Sequence, residues 1–276
     1  MPPFDIDASL AATLVAFCIA TGAVAGLLAG LLGVGGGIVV VPALYFVLGH
    51  LGVDEAVRMQ VAVATSLATI VPTSILSTQA HRQRGSVDTV LLRAWIPPAL
   101  GGAVIGTLFA ASVKGTLLAG IFGAIAMLVA FQMVAFPGGL ALRPALPGRA
   151  GSMAMAFLIG GFSAIMGIGG GTLAVPVLSL FSYPIRLAVG TAASLGLYVA
   201  IPATVGLAIG GWSAPGLPPF SLGYVNLVGF AAVLPAMLLC VRVGARIAHA
   251  ISQPALRRVF GIVLAGVGLR MLSSLF

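Results

Sequence analysis

Apolar residues run through this chain in long blocks, broken at a few places by glycine, proline or charge. The first block runs from Ala8 to Leu32, enough for a helix to cross a bilayer by the criterion of ~20 residues. It ends on Gly33-Val34-Gly35-Gly36-Gly37, and the next block, Ile38 to Leu48, is too short to cross alone at about 1.5 Å per residue. A loop with His50, Asp54, Glu55 and Arg58 leads into Met59 to Ser77, interrupted at Pro72. A polar patch from Gln79 to Asp88 then precedes two further spans, Val90 to Ala111 and Leu117 to Phe136, with a tight turn at Lys114 between them.

The second half follows the first. After a Pro/Gly-rich connector from Pro137 to Arg149 come Met153 to Met166, a second glycine word, and a short block from Thr172 to Phe181. A longer span ends near Ile209, an uncharged loop runs from Gly210 to Phe220, and Leu222 to Val241 and Leu256 to Leu275 close the chain. Gly167-Ile168-Gly169-Gly170-Gly171 repeats the first glycine word at an offset of 134, and Pro176 repeats Pro42 at the same offset. Gly22, Gly26 and Gly30 align with Ala156, Gly160 and Ala164, and at an offset of 138 Asp88 stands opposite Asn226 and Pro97 opposite Pro235. Ala64-Thr65 matches Gly190-Thr191 at an offset of 126. An internal duplication explains these matches. It divides the chain into repeat 1 at residues 1–136, a cytoplasmic linker at 137–150 and repeat 2 at 151–276.

Composition fixes the class. The 276 residues are 60% hydrophobic and only 7% charged, where a soluble domain has about 25% charged residues. Continuous apolar runs, with no alternation of period two, disfavour a β-barrel. The expected fold is an all-α polytopic membrane protein with 8–10 apolar segments. The net charge of +8 therefore orients the chain and does not point to nucleic acid. With the N-terminus outside, ten arginines fall on inner loops, while Arg58, Lys114 and Arg270 fall outside with Asp5, Asp7, Asp54 and Glu55. Five segments per half is an odd number, so the halves insert with opposite orientation as inverted-topology repeats. Both termini are then expected to be periplasmic and the basic loops cytoplasmic.

The glycine words carry the candidate chemistry. A helix starting at Gly37 or Gly171 leaves its first N–H groups without intrahelical partners. The helix dipole adds positive potential at that end, and glycine lets a ligand approach the backbone closely. Two such ends form a cradle for an anion with no basic side chain. Broken helices at matched places in inverted halves mark a transporter site. Small residues at Gly22, Gly26 and Gly30 read as helix packing, and Pro42 and Pro176 as shaping or ending the short arms.

Candidate substrate-binding residues are Gly33, Gly35, Gly36, Gly37, Thr65, Ser66, Gly167, Gly169, Gly170, Gly171, Thr172 and Thr191. The hydroxyls either bond an oxyanion or satisfy carbonyls of their own helices. No catalytic residue, metal site or cofactor is expected. The serines lack a histidine or carboxylate at matching depth, which leaves an intramembrane enzyme little support. Cys18 and Cys240 both lie within apolar runs. There is no GxxxxGK[ST] motif for ATP.

The duplicated Gly33–Gly37…Pro42 and Gly167–Gly171…Pro176 words, with Ala64-Thr65-Ser66, Gly190-Thr191-Ala192 and Gly85-Ser86-Val87-Asp88, resemble the TauE/SafE sulfite exporter family over nearly the whole chain. The resemblance implies a transporter of sulfite, sulfonates or related sulfur-containing anions in the bacterial inner membrane, and it supplies no catalytic residues. The reading is therefore a secondary transporter that exports a small sulfur-containing oxyanion by alternating access of the two repeats. A passive anion channel of the same fold is the alternative. The expected partners are the anionic substrate, the lipid bilayer and coupling protons, with no nucleic acid; oligomeric state stays open.

Overall fold

The computed structural model describes residues 8–32, 35–136, 145–247 and 253–273. Ten helices follow one another in it: α1 Ala8–Leu32, α2 Gly37–His50, α3 Glu55–Gln83, α4 Thr89–Ser112, α5 Gly115–Ala135, α6 Arg149–Met166, α7 Gly171–Ser179, α8 Ile185–Gly210, α9 Leu227–Ile247 and α10 Gln253–Ser273. A small hairpin, β1 Ser221–Leu222 and β2 Val225–Asn226, precedes α9. Seven of these helices, α1, α3, α4, α5, α6, α8 and α9, are long and apolar enough to cross a membrane. The chain is an all-α polytopic membrane protein. Gly33 and residues 137–144 of the linker lie outside the described residues.

Two predicted features of the helices need correction. Pro72 does not interrupt the third span: α3 is continuous for 29 residues and absorbs both the polar stretch around Gln79 and the loop residues Glu55 and Arg58. A proline in a membrane helix is tolerated where neighbouring helices and local adjustments compensate for the lost bond. The carbonyl left without a donor by Pro72 is Ala68 O, and α8 and α9 pack around α3; Thr69 Oγ1 and Thr73 Oγ1 donate to Ser66 O and Thr69 O, at 2.7 and 2.9 Å. Asp54 starts the helix by accepting the Ala56 N–H at 2.9 Å, the usual role of a short acceptor at an N-cap. Pro42 and Pro176 likewise sit inside α2 and α7 and end neither arm.

Helix pairing follows the small residues. α1 packs on α9 and α6 on α4, while α3 packs on α8 and α5 on α10. A Cβ added at Gly22 or Gly26 of α1 would overlap the Val233 or Met237 carbonyl of α9, and one at Gly160 of α6 would overlap the Ala99 carbonyl of α4. These glycines permit backbone-to-backbone approach, the packing use expected of small residues four apart. Renaming each helix as its counterpart in the other half turns the α1–α9 pair into α6–α4 and leaves α3–α8 and α5–α10 as they are. α3 sits at the centre, buried along most of its middle stretch from Met59 to Ser74. Outer helices present apolar side chains such as Leu108, Phe131 and Leu239 outward, as lipid contact requires.

Candidate functional site

The two short arms meet with their glycine ends together. Gly36, at φ 72°, is the N-cap of α2, and Gly170, at φ 57°, is the N-cap of α7; neither cap has a side-chain hydrogen bond. Gly36 lies in the left-handed region and Gly170, at ψ −44°, outside it; residues with a Cβ rarely adopt either conformation. Both words are fully buried over their described residues, Gly35–Gly37 and Gly167–Gly171. A Cβ on Gly37 would overlap Gly167 O and would lie 2.8 Å from Ile70 Cδ1. The first arm therefore starts against the backbone of the second word.

Each word also has packing work of its own. A Cβ on Gly36 would lie 2.6 Å from Ala25 O of α1 and 2.7 Å from Met237 Cε of α9. One on Gly169 would lie 2.6 Å from Ile70 Cγ2, and one on Gly167 2.9 Å from Val63 Cα. Here close approach and positive φ account for the glycines without any ligand.

Backbone donors remain at the crossing. Gly36 O accepts the N–H groups of Val39 and Val40, at 3.1 and 3.3 Å. The N–H groups of Gly37 and Ile38 meet no acceptor among the described residues. In α7, Gly170 O takes the Ala174 N–H at 3.0 Å, and Leu173 N–H likewise meets no described acceptor. An orphan N–H group in an apolar interior is costly, and an anion is one partner that satisfies it.

The hydroxyls separate into two kinds. Ser66 Oγ donates to Gly167 O at 2.8 Å, so it fastens α3 to the second glycine word. Thr172 lies in the first turn of α7, with Oγ1 3.5 Å from Ile168 O. Thr65 and Thr191 instead accept backbone donors from the opposite half: Asn226 N–H at 2.9 Å and Asp88 N–H at 2.9 Å. The two donors are themselves the matched pair Asp88 and Asn226. Thr65 also lines an apolar cavity of about 180 Å³ with Asn226, Cys18 and Leu44; Thr191 lies by the Asp88 loop.

Asp88 and Asn226 cap helices in the same way. Asp88 Oδ1 accepts the Val90 and Leu91 N–H groups at 2.9 and 3.0 Å, and Asn226 Oδ1 accepts the Gly229 N–H at 2.8 Å. Tyr183 OH adds a hydrogen bond to Asp88 Oδ2. Partial burial opposes ionisation of Asp88, but the bonds from Tyr183, Leu91 and Val90 outweigh it and hold the carboxyl below its usual range. Burial, and then the Asp88 carboxylate, push the Tyr183 phenol up.

Sequence reasoning missed Ile70, whose side chain faces Gly35, Gly37 and Gly169 and so plugs the crossing. Nothing marks one isoleucine among many in an apolar run. It also missed Gly196 of α8, where a Cβ would lie 2.7 Å from Gly169 O. Gly196 follows Thr191 within the same block, and a search for small residues facing the second word could have found it.

Ten helices, seven able to cross a membrane, and two broken arms meeting at a buried centre define a multi-pass membrane transporter. The family profile described as sulfite exporter TauE/SafE matches residues 18–271, and the chain belongs to that family. It is 31% identical to a probable membrane transporter protein of Haemophilus influenzae over 259 residues, covering 94% of this chain and 98% of the relative. It is 27% identical to a probable membrane transporter protein of Methanocaldococcus jannaschii over 269 residues, covering 94% of this chain and 96% of the relative. No solved structure matches the chain.

Proposed function

We propose that the protein is a secondary transporter that exports a small sulfur-containing oxyanion, such as sulfite or an organosulfonate, across a bacterial inner membrane. The observation that carries this reading is the meeting of the two glycine-led arms, where the N–H groups of Gly37, Ile38 and Leu173 find no acceptor among the described residues. An anion held there is bound by backbone dipoles alone, so its negative charge needs no buried basic partner. The substrate class follows the family name, and the arms supply the preference for an anion.

Alternating access is supported by the matched contacts between the halves. Thr65 holds Asn226 and Thr191 holds Asp88. A carrier breaks such contacts one at a time as its repeats rock about a fixed site. The pairings α1–α9 and α6–α4 favour inverted repeats at residues 1–136 and 151–276, joined by a cytoplasmic linker. With the basic loops inside, an interior-negative potential favours anion efflux by about 2.3 kcal/mol per charge per 100 mV. Coupling protons remain part of this proposal.

The test is sulfite efflux from proteoliposomes under an imposed potential. The reading expects saturable efflux that speeds up as the interior is made more negative. Efflux no faster than from protein-free liposomes, for sulfite and a short organosulfonate alike, would remove it.

A further inference from the structure

Arm α2 has a second end, and charged and aromatic side chains gather there around a cavity of about 360 Å³ lined by Tyr45, Phe46, Gly49, His50, Glu55 and Arg58. For a helix of 14 residues this end stands about 20 Å from Gly37. It lies on the face that carries Arg270, whose Cζ is 5.1 Å from the centroid of the Phe46 ring.

Arg58 is held in place by protein contacts alone. Its Nε and Nη2 both donate to Val53 O, at 3.2 and 2.9 Å. Its Cζ lies 5.4 Å from the centroid of the Tyr45 ring. Gly49 makes room for it, since a Cβ there would lie 3.2 Å from Nη1. Arg58 makes no ion pair among the described residues, and its Nη1 makes no hydrogen bond among them. A guanidinium has five N–H donors, so most of this fork remains available.

The surroundings favour an anion. Tyr45 and Phe46 meet edge to face with centroids 5.6 Å apart, which brings the Arg58 and Arg270 sites together across one aromatic pair. His50 Nδ1 lies 2.9 Å from Phe46 O. Glu55 is the one carboxylate among the lining residues, against the two guanidinium groups. A planar fork fits two oxygens of an oxyanion, and a fork already fixed loses little entropy on binding.

We infer that this pocket is a second anion site: Arg58 binds a small oxyanion through its Nη edge, and Arg270 adds attraction from α10. The site holds anions on the outer face, at the far end of the arm that starts at Gly37. The choice of sulfite as one probe rests on the proposed transport function; the pocket itself does not. A merely structural Arg58, tying Val53 to α3, is the competing explanation.

The test is calorimetric titration of the full chain in nanodiscs, with sodium sulfate and separately with sodium sulfite at fixed ionic strength. Arg58→Lys keeps the charge and loses the fork, and should weaken one class of anion binding at least tenfold. Glu55→Gln removes an exposed charge that makes no described hydrogen bond, and should tighten the same class roughly threefold, as expected for one unit charge across a solvated pocket. Gly170→Ala should leave that class unchanged. A structural Arg58 predicts no effect of Glu55→Gln, so that variant decides even if Arg58→Lys fails to fold. Unchanged isotherms for Glu55→Gln with both anions, or no anion binding by the parent, overturn the pocket. If sulfate binding shifts while proteoliposomes move no sulfite, the pocket stands and the transport reading falls. If sulfite moves and no isotherm shifts, the reverse holds.

Discussion

Thr65 Oγ1 on α3 accepts the backbone N–H of Asn226 at 2.9 Å, and Thr191 Oγ1 on α8 does the same for Asp88, also at 2.9 Å. Each donor caps the helix that follows it, Asp88 at α4 and Asn226 at α9. The same device therefore joins the halves twice, each threonine reaching across to the other half. Replacing Thr65 with valine keeps the shape and leaves a buried N–H without its acceptor. That should cost about 1–3 kcal/mol, and Thr65→Ser should restore it. Thr191→Val should cost less, because the Asp88 N–H is only part-buried. Unfolding in detergent, compared across these three variants and the parent, checks the order.

The glycine words divide by available space. Gly36→Val would place Cβ 2.6 Å from Ala25 O, so it should lower folded yield and says little about binding. Gly170→Ala meets nothing nearer than 3.4 Å but must adopt φ 57° with ψ −44°, outside the left-handed well, at a cost of roughly 1–3 kcal/mol. Its folded fraction, at reduced yield, should bind anions at the crossing at least tenfold more weakly than the parent. Size-exclusion profiles and sulfite titration of the two variants check this. Normal binding by Gly170→Ala would reduce that glycine to a packing element.

Asp88 gives a pH dependence whose sign follows from its depressed pKa. A carboxyl held lower in the folded chain contributes stability above its unfolded value of about 3.9, lost as pH falls through the folded value. Between pH 5 and 8 its contribution should stay flat, and it should disappear below about pH 4. Asp88→Asn keeps an oxygen for the α4 cap and should flatten the acid limb of the stability curve. Tyr183→Phe should move its midpoint upward. An acid limb unchanged in both variants would remove Asp88 as its source.

Orientation has its own test. A cysteine at Asp54 or Trp212 should react with an impermeant maleimide from outside intact cells, and one at Arg84 only after permeabilisation, all in a background lacking Cys18 and Cys240. Labelling of the Arg84 site in intact cells would reverse the assignment.

Much of this architecture can be read from local pattern. α6 ends at the same Met166 that closes its apolar run, with Gly167 at φ 70° as its C-cap, because a left-handed glycine ends a helix. Asp88 opposite Asn226, and Thr65 opposite Thr191, are visible as offsets in the chain. What the offsets do not reveal is that the pairs cross, since Thr65 finds its donor 161 residues away. Pro72 misled for the opposite reason. A proline breaks a helix in water, whereas α3 runs through it inside the membrane with α8 and α9 packed around it. The glycines read as a ligand cradle because nothing local shows that Gly37 lies against Gly167.

The transport claim meets its most direct test in counterflow. Proteoliposomes loaded with unlabelled sulfite and diluted into a trace of labelled sulfite should accumulate label transiently above equilibrium, and Gly170→Ala should abolish the overshoot. Label that only rises to equilibrium, at a rate that never saturates with sulfite, would contradict a carrier and leave a passive pore.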